Sequence, residues 1–580
     1  MPAVIRLFSL LLALLLAGAA LAQPQPADDD EEEEEEATQA APAAPGPRAN
    51  LPEQELTEPI LYELLLAEIA LKRGSEGLAA QIYAELARKT KDPRIARRAV
   101  EVAGAARMPQ YALEAARAWH EADPQSLQAL QTLAGLLVSA RKVDEAEPYL
   151  AKLLSSEGVA AANGFMQMGR LLAGNPDKAA NLRVVRNLAA KYPDLPQAHF
   201  AVAQAALAAE DEKTALAEAR RAGELQPGWE VPAIFEAQVL QRRSPAEASA
   251  SLAAFLAKYP AAREARLAYA RVLVGERKFA EARTQFETLL AAHPKNPDVV
   301  YAVALLAAQL KDYATAEKNL RRLLDMGFRD PNGVRFTLGQ IAEEQKQWQA
   351  AIDWYQSIER GDQYFASRLR VASVMAKQGK LEEARAYLRN VDAGGEQQVQ
   401  LLIAEAQLLR DAKRDREAFD LLGKALAAQP NQPELLYDHA LTAERLERFD
   451  VLEDNLRKLI QIRPDHAHAH NALGYSFADR NVHLAEARKL IERALELSPD
   501  DSFIIDSLGW VLYRQGDLKG AEAQLRRAYL GRADGEIGAH LGEVLWMMGR
   551  RDDAARIWDE ALKNHPDNET LQKTVKRLKR

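Results

Sequence analysis

Three of the chain's ten histidines fall in the stretch "PDHAHAHNALGY", as His466, His468 and His470. On a helix His466 and His470 would stand one turn apart and could chelate a metal ion. A stable site takes three or four ligands with supporting partners behind them, and Asp465 is the only carboxylate close in sequence. A second pairing, Asp506 with Glu543, could act as acid and base on a glycan if one surface carried both. No His-Glu-x-x-His, Gly-x-Ser-x-Gly, Walker lysine loop or dinucleotide glycine fingerprint occurs. Cysteine is absent, which removes thiol nucleophiles, disulfides and cysteine-ligated zinc. The histidines at 120, 199, 293, 439, 483, 540 and 565 are scattered and read as individual packing or surface residues. The side chains thus point to no catalysis, no cofactor and no metal, and their meaning rests on the elements that carry them.

From Thr57 onward apolar residues recur at three- and four-residue intervals with few β-branched runs, the pattern of continuous helix. The stretch "LGWVLYRQGDLKGAEAQLRRA", Leu508 to Ala528, has the form of a tetratricopeptide repeat: Leu-Gly, a large residue, a small residue further on, then a second helix. The small residue recurs as Ala79, Ala112, Ala146, Ala180, Ala215, Ala248, Ala282, Ala316, Ala351, Ala384, Ala418, Leu452, Ala487, Ala521 and Ala554, about 34 residues apart. Prolines at 124, 193, 227, 260, 294, 430, 464, 499 and 566 follow their repeat's small residue by twelve or thirteen positions, where a second helix has to stop. The expected fold is all-α: a tetratricopeptide solenoid, a right-handed superhelix of about fifteen antiparallel helix pairs. Residues 57–429 are degenerate and 430–566 are nearest the repeat consensus. Such stacks bind proteins and do not catalyse by default.

In this register Pro464 closes one repeat, Asp465 and His466 form a loop, Ala467 starts the next first helix and His470 replaces a large packing residue. His466 and His468 are expected to face solvent, and His468 could instead join a ligand groove. In tetratricopeptide repeats the second, fifth, ninth, twelfth and thirteenth positions of each first helix line the concave side. Those positions hold His468, Asn471, Tyr475 and Asp479, then Phe503, Asp506, Trp510, Tyr513 and Arg514, then Glu536, Glu543, Trp546 and Met547. Aromatic side chains mixed with charge suit a peptide-binding surface. The competing reading makes Trp510 and Trp546 inter-repeat core. At the other end "ILYELLLAEIAL" is apolar around almost the whole helix although a terminal helix has one neighbour, so Leu61, Leu64, Leu65 and Ile69 are candidates for docking a partner.

The first residues read as an export signal: Arg6, the apolar run "LFSLLLALLLAGAALA", and Ala20-Leu21-Ala22 as a cleavage site, giving 1–22 as signal and a periplasmic protein beginning at Gln23. The alternative is a retained membrane anchor. Leu16-Ala17-Gly18 is followed by Ala19 and not by cysteine, so no lipid anchor is expected. Residues 23–56 carry nine consecutive acids and an Ala/Pro-rich tract, the composition of an extended linker. This linker accounts for the formal charge of −9, leaving the remainder near neutral with no case for nucleic acid. Residues 567–580 form a basic C-terminal helix or tail.

"HNALGYSFADRNVHLAEARKLIERALELSPDDSFIIDSLGWVLYRQGDLKGAEAQLRRAY" with "HLGEVLWMMGRRDDAARIWDEAL" resembles the C-terminal region of a proteobacterial family of exported tetratricopeptide proteins. That family includes the lipoprotein binding partner of a periplasmic carboxyl-terminal processing protease, and "LTEPILYELLLAEIALKRG" is similar to its first helix. The resemblance implies an adaptor that engages the protease and presents clients, cell-wall hydrolases among them. The chain departs from it in lacking the acylated cysteine. Two other functions share the same physics: a scaffold for envelope polysaccharide secretion or outer-membrane assembly, and, remotely, a glycan-active enzyme.

Overall fold

Short helices follow from how each one is started and stopped. Many begin at a capping acid, amide or hydroxyl: Asp501 accepts from the amides of Phe503 and Ile504, and Ser126 from that of Ala129. Others carry proline in the first turn, as at Pro297 and Pro433. The first helix of a pair typically ends in one left-handed residue, glycine at Gly516 (φ 91°) and Gly549 (φ 80°) but lysine or arginine at Lys311 (φ 62°) and Arg277 (φ 60°). The result, in a computed structural model that describes residues 55–155 and 161–579, is 31 helices and no strand among the described residues. The expected signal, 1–22, and the linker up to residue 54 lie outside the described residues.

The helices form fifteen antiparallel pairs, from Glu58–Lys72 with Glu76–Thr90 to Gly535–Met547 with Arg551–Asn564, followed by a closing helix, Glu569–Leu578. Within each unit most helices pack on the next in sequence, and first helices also pack on the first helix of the following pair, as Ala467–Asp479 does on Ser502–Arg514. Every member of the 34-residue series, Leu452 included, is buried near the start of its second helix. The glycine of the Leu-Gly pair shows why small residues recur. A β-carbon at Gly509 would stand 2.5 Å from Leu525 Cγ, and one at Gly339 would stand 2.5 Å from a ring carbon of Tyr355. The two helices touch there, and each buried leucine at such a crossing contributes about 2 kcal/mol.

The chain divides into two compact units, the first ending at Phe328 and the second starting at Arg329. In the first, one apolar cluster runs from Ala116 to Val239 and another fills the N-terminal pairs around Ala79, Tyr83 and Trp119. In the second, a single cluster runs from Leu436 to Leu571, through the repeats nearest consensus and into the closing helix. That helix is amphipathic: Leu571 and Thr574 are buried, and its basic residues lie outside.

Candidate functional site

Three successive first helices of the second unit, Ala467–Asp479, Ser502–Arg514 and Gly535–Met547, present a shared face. Its curvature is shown by one hydrogen bond: the Tyr475 hydroxyl donates to Glu536 Oε1 at 3.1 Å across two repeats. Side chains two repeats apart meet on the inside of a bend, so this face is concave.

The floor is a polar network closed by aromatic rings. His540 Nδ1 lies 3.1 and 3.0 Å from the two carboxylate oxygens of Asp506, both residues buried. Trp510 stacks on His540 with ring centres 4.1 Å apart and planes 21° apart, and Tyr475 and Tyr513 flank the stack. Glu543, also buried, accepts from the Tyr513 hydroxyl at 3.1 Å and from Arg577 of the closing helix. Burial works against the His540 imidazolium, but the adjacent Asp506 carboxylate, with Glu536 and Glu543 beyond it, outweighs burial and raises its pKa. Burial holds Tyr475 well above its ordinary value, reinforced by Glu536, Asp479 and Asp506. Tyr513 is pushed up to about 12 by burial and by Glu543. Burial also raises Glu444, with Asp479 and Glu536 adding to it.

The structure divides the expected groove set in two. Asp506, Trp510 and Glu543 are buried in the floor, where a ligand would not touch them. Trp510 packs between repeats, because the next helix brings His540 against its ring. His468, Asp479, Phe503 and Met547 are exposed, while Asn471, Tyr475, Tyr513, Arg514 and Trp546 are half-buried. Arg532 covers the Phe503 ring at 4.7 Å and Arg551 that of Trp546 at 5.1 Å. Arg514 ties the wall together, donating to the Asp479 carbonyl of the preceding repeat at 2.9 Å. Asp506 and Glu543 are each committed to a basic partner, His540 and Arg577.

The histidine trio has structural roles. His466 does not point into solvent: it caps the Ala467–Asp479 helix, with Nδ1 accepting from the Ala469 amide at 3.1 Å, and tilts against Tyr437. His470 is buried, its Nε2 3.0 Å from the Pro464 carbonyl. Only His468 is free on the surface. Among the described residues no three His, Cys, Asp or Glu side chains converge as metal ligands. At the other end of the chain Leu61, Leu65 and Ile69 are exposed as expected from the apolar helix, whereas Leu64 turns inward against the N-terminal core. His540 and Arg577, which no local motif marks as site residues, both join the floor.

The repeat geometry has counterparts. The model for the tetratricopeptide repeat matches residues 239–297, 270–331, 301–364 and 437–502. The TPR repeat-containing protein PA4667 of Pseudomonas aeruginosa is 33% identical over 531 residues, covering 90% of this chain and 88% of its own. The chain belongs to the tetratricopeptide-repeat family. Solved structures similar to parts of this tetratricopeptide protein include TTC0263 of Thermus thermophilus, 24% identical, covering 31% of this chain and 97% of that one, with a TM-score of 0.29. A tetratricopeptide repeat protein of Parabacteroides merdae is 14% identical, covering 43% and 99%, with a TM-score of 0.35. Repeats of this family imply protein partners, and no helix among the described residues is long and apolar enough to cross a membrane.

Proposed function

We propose that this protein is a non-catalytic adaptor of the bacterial envelope, exported through residues 1–22, that presents client proteins to a periplasmic carboxyl-terminal processing protease. The observation that carries the reading is the concave wall of the second unit. Phe503, Tyr513, Arg514, Trp546 and Met547 stand on successive first helices over a floor fixed by cross-repeat bonds. Packed helices lie about 8–10 Å apart, and an extended peptide advances about 3.3 Å per residue, so each repeat meets about every third client residue. Half-buried aromatic anchors with charged neighbours suit that task. The exposed face of the first helix, Leu61, Leu65 and Ile69, is a second surface, suited to holding a rigid partner.

The test is affinity capture from envelope extract with identification by mass spectrometry, then client delivery by variants. Phe503→Ala with Trp546→Ala is expected to weaken client binding at least about tenfold while the protease is still captured. Leu61→Asp with Leu65→Asp is expected to do the reverse. Capture of polysaccharide-secretion or outer-membrane-assembly components in place of a protease would move the protein to the scaffold reading, and unchanged client delivery by the folded groove variant would refute the groove assignment.

A further inference from the structure

The first helix, Glu58–Lys72, packs on Glu76–Thr90 through Ala67 and Ala70, with Leu64 and Leu71 reaching the N-terminal core. Its other face is bare: Leu61 is 44% exposed, Tyr62 65%, Leu65 55% and Ile69 49%. The residues on that face are arranged symmetrically. Leu65 is the midpoint of the 15-residue helix. Leu61 and Ile69 lie one turn to either side of it, and Glu58 and Lys72 two turns. At about 100° per residue all five fall within about 40° of the Leu65 direction. Glu58 and Lys72 are exposed and form no ion pair with the described residues.

We infer that a second copy of the chain closes this face, the two first helices running antiparallel across a two-fold axis at Leu65. In that arrangement Leu65 meets Leu65 of the second copy, Leu61 meets Ile69, and Glu58 meets Lys72, each unlike contact occurring twice. Tyr62 lies against Glu68 of the second copy on the flank. A parallel pairing would set Glu58 on Glu58 and Lys72 on Lys72, so charge selects the antiparallel register. The chain's own linker is a poor cover, since between residues 23 and 54 Leu51 is the only large apolar residue.

The four exposed apolar side chains leave on the order of 450 Å² in solvent per copy, below the ~800 Å² per partner of a standard stable interface. The dimer is therefore reversible and dilution-sensitive. A partner that docks on the same face would displace the second copy, but self-association of the isolated protein does not depend on the adaptor reading.

Sedimentation velocity on the full chain from about 2 to 200 µM spans the range of such a small interface. The weight-average coefficient is expected to climb from monomer toward dimer, and Leu65→Glu to hold it at monomer with unchanged helicity, since Leu65 is not in the core. Glu58→Lys sets like charges opposite each other twice and should weaken association about tenfold. Glu58→Lys combined with Lys72→Glu restores both pairs and should recover association to within about threefold of the parent. A parent that sediments as monomer at every concentration overturns the inference, as does a double reversal no better than the single one.

Discussion

Replacing Asp506 by asparagine tests the floor of the groove. In the parent His540 sits against both carboxylate oxygens at 3.1 and 3.0 Å, with each side chain buried and the Trp510 ring stacked over the imidazole. Its pKa is raised above the ordinary 6.5. The folded state therefore binds more protons than the unfolded chain between pH 6.5 and the raised value. Stability from the pair is fully present below that window and is lost as pH rises through it, with a limiting slope of about 1.4 kcal/mol per pH unit. Asparagine keeps the shape and can accept from a neutral Nδ1–H but cannot balance an imidazolium. Breaking a buried ion pair costs about 3–5 kcal/mol when the orphaned charge must stay. Here the imidazole sheds its proton, so the cost falls to that of a charge-assisted hydrogen bond, about 1.5–3 kcal/mol.

Repeat arrays open locally, so the assay is hydrogen exchange read on the helices Ser502–Arg514 and Gly535–Met547 from pH 5.5 to 8.5, corrected for intrinsic rates. In Asp506→Asn protection should fall on the order of 10- to 150-fold at the acid end, with the gap narrowing toward the alkaline end. The parent's protection should decline with pH and the variant's should stay flat. A parent profile flat across this range, or a variant with the parent's slope, would show that His540 is not protonated in the fold and refute the reasoning.

Gly509→Ala places a methyl 2.5 Å from Leu525 Cγ. Overpacking of about 1–3 kcal/mol, less about 1 kcal/mol of gained helix propensity, should show as reduced protection of Leu518–Gly531. Lys311→Gly relieves a left-handed residue at φ 62° and should stabilise the first unit by up to about 1 kcal/mol, read as a higher melting temperature. Glu405, 2% exposed, receives Arg385 and Arg389. Glu405→Gln should cost about 3 kcal/mol in urea unfolding, the lower end of the buried-pair range because Arg389 can turn to water.

The repeat register was legible because it is written redundantly. A small residue at every helix crossing but that of Leu452, and a proline after nine of the fifteen second helices, are independent marks of one period, and the buried series from Ala79 to Ala554 follows it. The orientation of single side chains was less legible. Phe503 and Trp510 both occupy groove-facing positions, yet one is exposed and the other buried, because His540 from the following repeat covers the indole. His466 looked like a loop residue and became a cap, because its ring nitrogen reaches the amide three residues on.

The floor itself did have a signature, in the period and not in any local motif. Asp506 and His540 are 34 residues apart, and so are Glu543 and Arg577. Glu343 and Lys377, bonded at 2.6 Å, keep the same spacing further up the second unit. Residues one period apart occupy equivalent places on stacked first helices, so an acid and a base at that spacing are brought side by side by the stacking. Glu343 and Glu543 each take a tyrosine hydroxyl as well, from Tyr355 and Tyr513, both at 3.1 Å. The acid–base pairing has thus formed twice, with lysine serving in one place and arginine in the other, while the tyrosine comes from the second helix of the same pair in one case and the preceding first helix in the other. Opposite charge at one period's spacing already links His540 to Asp506 and Arg577 to Glu543 in the sequence.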